Sequence, residues 1–197
     1  PAFLYVRKDL QPQLSSPIQG WFGDESPFQF GIDYHPANQI RKFLVGTPPI
    51  LSLSAIEPAL DMILEAGIER IREKSIDQSA YLISMIREHL LPFGFELGSP
   101  EDPEQRGSHV TIRHPEAYRV TQAMEDDNTG SRVIIPDFRE PYNIRLGISP
   151  LYTSFEELGM TIMEIRQIMT NKWYLEFPID RKRSEERRVG KECATGC

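Results

Sequence analysis

Cysteine is missing from almost the whole chain: Cys193 and Cys197 both fall in the last five residues. That excludes a disulfide framework or a cysteine-bound metal for the body of the protein, and a reducing cytoplasm is the expected setting. Long apolar runs are missing too. The longest, 43–56, is broken by Gly46, Pro48, Pro49 and interspersed serines and threonine, and falls short of the roughly 18 to 20 residues that cross a bilayer. Positive charge is scarce. Twenty-two Lys and Arg stand against 29 Asp and Glu, a net charge of −7, which argues against nucleic acid and anionic membranes as partners. There is no initial Met and no basic segment leading into an apolar stretch, so no secretory signal is read. The opening Pro-Ala-Phe-Leu-Tyr-Val reads as a strand entered in mid-fold, as expected of a truncated chain.

What is present is a globular composition. Hydrophobic residues make up 40% of 197, enough for a packed core rather than disorder. The composition breaks at Arg183, where Arg-Ser-Glu-Glu-Arg-Arg-Val-Gly-Lys-Glu-Cys begins. This run has no apolar periodicity and looks like a translated sequencing adapter, so 181–197 is expected to be a non-native tail. The alternative is a genuine solvated basic tail. Setting 183–197 aside removes four basic and three acidic side chains and leaves a net charge of −8.

Several elements are legible. Residues 3–6 read as a short strand, and 11–27, rich in Pro, Ser and Gly, as a loop. Ser54 with Glu57 three residues later has capping-box spacing. It opens a long helical pattern through Ile56, Leu60, Ile63, Leu64, Ile71, Leu82, Ile83, Ile86 and Leu90, with Gly67 and Ser75 as bend points. A helix of that length suits a crossing from one domain to another. Residues 109–113 alternate as a strand, Pro115 opens a helix through Met124, and 133–135 reads as a brief strand. In 143–149, Ile144, Leu146 and Ile148 take one face and Asn143, Arg145 and Gly147 the other. Ser154 and Glu157 repeat the capping-box spacing before a helix through about Met169, with Phe155, Leu158, Ile162, Ile165 and Met169 on its buried stripe. The expected organisation is an α+β unit with a mostly antiparallel sheet. The expected boundary lies between 1–55 and 56–180, the latter being the linking helix and small domain.

Motifs for simple hydrolytic or nucleotide chemistry are absent. None of His35, His89, His109 and His114 has metal-ligand spacing to a second ligand, so no metal is expected. No phosphate loop, nucleophile elbow or dinucleotide fingerprint occurs. Three features stand out. Gly20-Trp21-Phe22-Gly23 holds two large aromatics between glycines, suited to a stacking wall or an indole N–H donor, or to core packing. Thr47 precedes Pro48, which restricts its backbone, so its hydroxyl is fixed to meet an anion or simply belongs to a turn. Arg145, beside Gly147 on a half-buried strand, wants a planar anion such as a carboxylate. That anion is either a ligand's or one within the chain.

Together with their neighbours these features resemble kynureninase. The stretches are Gly-Trp-Phe-Gly at 20–23, Phe-Leu-Val-Gly-Thr-Pro-Pro-Ile at 43–50 and Pro-Asp-Phe-Arg-Glu-Pro-Tyr-Asn-Ile-Arg-Leu at 136–146. Arg-Gly-Ser-His-Val-Thr at 106–111 and Pro-Leu-Tyr at 150–152 fit as well. The resemblance runs from Pro1 to about Pro178. It implies an α/β fold of the type-I pyridoxal-phosphate-dependent transferases, here a fragment: the end of the large domain plus the α+β C-terminal small domain. It also implies a homodimer and pyridoxal 5'-phosphate as cofactor. The reaction implied is hydrolysis of L-kynurenine to anthranilate and L-alanine in tryptophan catabolism, the kynurenine route to NAD biosynthesis. By the same resemblance Trp21 and Thr47 contact the cofactor phosphate, Phe22 walls the aryl pocket and Arg145 pairs with the substrate α-carboxylate. Thr47, where some kynureninases have Asn, leans towards kynurenine over its 3-hydroxy form.

The resemblance also places the Schiff-base lysine before Pro1, and Lys8, Lys42, Lys74, Lys172 and Lys182 match no cofactor position. The chain alone is therefore expected to be inactive, with no catalytic residue of its own. Two alternatives remain open. One is another class-V enzyme, a cysteine desulfurase or aminotransferase, for which Arg145 would serve equally. The other is a non-catalytic fragment that associates with other chains.

Overall fold

A computed structural model describes residues 3–179; the tail expected from Arg183, both cysteines and Lys182 lie outside them. The chain divides into two compact units, Pro1–Glu65 and Ala66–Cys197.

The first unit is mostly irregular. Two 3-10 turns, Trp21–Gly23 and Gln39–Phe43, are followed by helices α1 (Ile50–Ser54) and α2 (Glu57–Ala66). Residues 3–7 form no strand. A strand is held by its ladder, and no described segment pairs with them; Phe3, Leu4 and Tyr5 are 60–85% exposed. The capping box expected at Ser54 does not form either. The Ser54 hydroxyl donates backwards to the Leu51 carbonyl at 3.0 Å, because 50–54 is itself a helical turn.

The second unit starts at α3 (Ile68–His89). The single long helix expected over 56–90 is two helices, broken at Gly67. That residue has φ of +80°, outside the helical range and open to glycine. Ser75, the other expected bend, lies buried within an unbroken α3. Beyond it come β1 (Glu96–Leu97), β2 (His109–Arg113), α4 (Ala117–Glu125), β3 (Asp137–Arg139), β4 (Asn143–Gly147) and α5 (Phe155–Asn171). The four strands form one antiparallel sheet in the order β1-β2-β4-β3.

One face of this sheet is apolar. Val110 and Ile112 of β2 and Ile144 and Leu146 of β4 meet Leu82, Ile86 and Leu90 of α3, Val120 and Met124 of α4, and Ile162, Ile165 and Ile168 of α5. Fully burying such a side chain stabilises the fold by roughly 1.5–3 kcal/mol. Phe155, expected on the buried stripe of α5, is 41% exposed. It is the first helical residue, and its ring meets Tyr81 edge-on at 5.6 Å. At the same end Ser154 and Glu157 complete a reciprocal capping box, an arrangement worth about 1 kcal/mol.

Two elements sit elsewhere than expected. Val133–Ile135 has no ladder: the Ile134 amide donates to the Met124 carbonyl at 2.7 Å, while Val133 and Ile135 are 50% and 82% exposed. The strand forms at Asp137–Arg139 instead, where Phe138 can pair with Ile144. α4 begins at Ala117 rather than Pro115, because the His114 carbonyl accepts the Ala117 amide at 3.0 Å in a turn that precedes the helix. Before β3, Gly130 adopts φ of +72°, and a Cβ there would lie 1.8 Å from Glu164 Oε1. The Glu164 carboxylate, 3% exposed, accepts the Ser131 amide at 2.9 Å and its hydroxyl at 2.8 Å.

Candidate functional site

The sheet has a second, open face, and its chemistry is polar. Register places Glu96, Arg113, Asn143 and Arg139 in one row across the four strands, with Thr111, Arg145 and Asp137 in the next and His109 beside Gly147. Arg145 therefore stands near the middle of a sheet whose other side is sealed. Strand alternation puts it there, since Ile144 and Leu146 must point into the core.

Arg145 is not free. One of its terminal nitrogens donates to Asp137 Oδ2, the residue directly opposite on β3. The same oxygen accepts Arg139 Nε at 3.0 Å. Burial pushes the Asp137 carboxyl up, but the Arg139 and Arg145 guanidinium groups outweigh it and hold the group below its ordinary value. Arg145 and Asp137 are 38% and 40% exposed, so the pair is accessible to a ligand from solvent.

The chain after β4 is held by α3. Lys74 Nζ donates to the Pro150 carbonyl at 2.7 Å and Gln78 Nε2 to the Thr153 carbonyl at 2.6 Å. The 99–107 loop leading into β2 is anchored in a similar way. Arg106, 9% exposed, donates from Nε to Ser79 Oγ at 3.0 Å, and Arg72 Nη1 donates to the Arg106 carbonyl at 3.2 Å.

Trp21, Phe22 and Thr47 belong to the first unit. Close backbone approach brings their segments together. A Cβ on Gly20 would meet the Val45 carbonyl oxygen at 1.7 Å, and one on Gly23 would meet the Lys42 carbonyl oxygen at 2.8 Å. Both glycines around the aromatic pair are thus required by contact, and the Trp21 turn rests on the segment that leads to Thr47. Trp21 contacts Phe22 and Phe28 edge-on at 4.5 and 5.8 Å. Trp21 is 46% exposed and Thr47 is exposed.

Trp21 also borders a concavity of about 690 Å³ lined by Asp24, Phe30, Asp33, Tyr34 and His35. Its rim is set by Asp24, whose carboxylate accepts the Ser26 amide at 2.7 Å and the His35 amide at 2.9 Å. Those bonds, His35 first, hold its carboxyl below the usual value. Indole N–H and threonine hydroxyl are neutral donors. As a donor set they fit hydrogen bonding to a phosphate, though not neutralisation of its charge.

Two residues were missed from sequence. Asp137 lies within the quoted motif, but as the opposite number of Arg145 it becomes visible only once β3 is placed at 137–139. Asp24 had no signal beyond its position after Gly23. Among the described residues no group of three His, Cys, Asp or Glu is placed to hold a metal ion, and no helix is long and apolar enough to cross a membrane.

The fold defines a class. Solved structures of similar shape include an apo cysteine desulfurase from Thermococcus onnurineus NA1. It has a TM-score of 0.63 at 17% identity, over 85% of this chain and 42% of that one. A C-DES mutant with glycine covalently linked to its PLP cofactor gives 0.62 at 15%, over 82% and 40%. This is the fold of the type-I, class-V pyridoxal-phosphate enzymes. Residues 71–165 match the kynureninase C-terminal domain family. Kynureninase from Geobacillus thermodenitrificans is 36% identical over 84% of this chain and 38% of its own length. The enzyme from Pseudomonas fluorescens is 34% identical over 87% and 40%. Residues 71–165 thus carry a kynureninase C-terminal domain, and the chain is similar to curated kynureninases over most of its own length while spanning about 40% of theirs.

Proposed function

We propose that this chain forms part of a pyridoxal-phosphate-dependent hydrolase that cleaves L-kynurenine to anthranilate and L-alanine. The observation that carries the reading is Arg145: a guanidinium on the open face of a sealed sheet, within reach of solvent, in a chain that carries this domain. Its fork suits the α-carboxylate of an amino acid. Trp21 and Thr47 donate hydrogen bonds to the cofactor phosphate, and Phe22, edge-on to Trp21, walls the aryl group. When bound, the cofactor would supply the electron sink for breaking the bond between the β-carbon, which stays with alanine, and the aryl carbonyl carbon, which leaves with water's oxygen as anthranilate. The residues of this chain bind and orient. Arg145 fixes one end of the substrate, so that the scissile bond is presented in one direction.

The intact enzyme is a cytoplasmic homodimer in this reading, with Trp21 or Thr47 serving the partner's site. The chain alone does not turn over. Lys42 and Lys74 are engaged with the backbone carbonyls of Leu14 and Pro150, and no lysine here matches a cofactor position.

The test is a chimera that places the N-terminal part of the Geobacillus enzyme ahead of Pro1. It should release fluorescent anthranilate from kynurenine, whereas the 197-residue chain with pyridoxal phosphate should not. Arg145→Lys in the chimera loses the two-pronged contact. A lost charge-assisted bond is worth about 1.5–3 kcal/mol, so kcat/KM should fall roughly tenfold to a hundredfold or more. Unchanged kinetics in that variant would sink the assignment. Stoichiometric cofactor trapped by reduction on one lysine of the 197-residue chain, with turnover, would overturn the inactivity.

A further inference from the structure

We propose that Asp137 is a resident carboxylate that occupies Arg145 until a carboxylate-bearing ligand replaces it, with Arg139 holding Asp137 once it is displaced. This role rests on Arg145 being a carboxylate-binding residue and makes Asp137 a positioning and selectivity residue for it. The geometry is that of an exchange site. Asp137 and Arg145 are directly opposed on neighbouring antiparallel strands, so both side chains rise from the same open face. A single oxygen, Asp137 Oδ2, serves both guanidinium groups, Arg145 through a terminal nitrogen and Arg139 through Nε at 3.0 Å.

Arg145 has five N–H donors, and the one nitrogen bonded to Asp137 leaves the rest of the fork available. An incoming carboxylate can therefore dock before Asp137 lets go. Displacement strands no charge. Asp137 keeps Arg139 and is 40% exposed, so water replaces what Arg145 gave up. An ion pair this exposed is weak, whereas a planar ligand carboxylate can take two parallel bonds. A neutral ligand offers no such exchange and leaves the resident pair closed. In the meantime Asp137 keeps the guanidinium spread across the sheet instead of wandering over it.

A fixed structural bridge and an exchange site predict opposite signs. The full 197-residue chain, labelled with 15N-arginine, is titrated with acetate against chloride of equal ionic strength while the Arg145 Nε–Hε signal is followed by NMR. Arg145→Gln identifies that signal, and backbone amide spectra confirm that each variant is folded. In Asp137→Asn the competitor is neutral, and the apparent Kd for acetate should fall roughly threefold to tenfold. In Arg139→Ala, Asp137 has Arg145 as its only ion-pair partner, and the Kd should rise.

Equal affinity in the wild type and Asp137→Asn, or weaker affinity in Asp137→Asn, overturns the exchange role and leaves Arg145 as the carboxylate site. An Arg145 signal that ignores acetate even in Asp137→Asn overturns the reading of Arg145 itself, and the exchange role with it.

Discussion

The two units of this chain differ in what holds them. From Ala66 onward, three helices close over one face of a four-stranded sheet, and nearly twenty apolar side chains are buried there. In the first unit the described buried residues are only Gly23 and Ala37, while Tyr5, Phe28, Phe30, Ile32 and Leu51 stand 68–101% exposed. Its order comes from backbone contacts and polar turns: Gly20 against Val45, Gly23 against Lys42, and Asp24 bonded to Ser26 and His35. Hydrophobic burial is the main favourable term in folding, so the second unit should dominate the stability of the chain.

That contrast can be broken by mutation. The largest loss should come from Ile162→Ala, which empties a fully buried position on α5. It should destabilise the chain by roughly 2–5 kcal/mol, read as a lower urea midpoint. Gly130→Ala comes next. A left-handed backbone costs about 1–2 kcal/mol for an ordinary residue, and the new Cβ must displace the Glu164 carboxylate, with which Ser131 would lose its partner. A stability equal to the wild type would show that the turn rearranges freely.

A smaller effect should appear with pH. Burial pushes the His114 imidazole below its usual value, against the opposing pull of the Phe93 carbonyl and the Glu116 charge. Its Nδ1 accepts the Glu116 amide at 3.0 Å while Nε2 lies 3.2 Å from the Phe93 carbonyl, the pattern of a neutral ring protonated on Nε2. The unfolded state binds this proton more readily. The contribution is thus complete above the unfolded value, about 6.5, and is lost as pH falls towards the folded one. The melting temperature should drop between pH 7.5 and 5.5, and His114→Gln should flatten that slope. The smallest effect sharpens the contrast from the other side. Phe30→Ala, at an 83% exposed residue of the first unit, should change the unfolding free energy by less than about 0.5 kcal/mol. A larger loss would show that the first unit has a core of its own.

The same contrast explains what could be read from sequence. Where side chains sit against a core, periodicity reports the fold: β2, β4 and α5 stand where Val110, Ile112, Ile144, Leu146 and Ile162 put them. Where partners are few, pattern misleads. Residues 3–6 and Val133–Ile135 have strand composition but no ladder, because pairing depends on a neighbour that a local window does not contain. Leu60, Ile63 and Leu64 keep helical spacing in α2 yet are 36–77% exposed, so amphipathic spacing alone did not mean burial. The site was legible in part. Arg145 could be placed by alternation, but its partner Asp137 could not, since cross-strand register is not written in either strand alone.

Lys74 and Gln78 lie one helical turn apart on α3 and grip carbonyls three residues apart, those of Pro150 and Thr153. The helix pitch is thereby copied onto the stretch that follows β4. Between the two grips Leu151 and Tyr152 are 40% and 81% exposed, and nothing about the grips depends on their side chains. The segment can change its letters but not its length. One residue added or removed between Pro150 and Thr153 would put one grip out of reach, and either Arg145's strand or the start of α5 would have to slide to recover it.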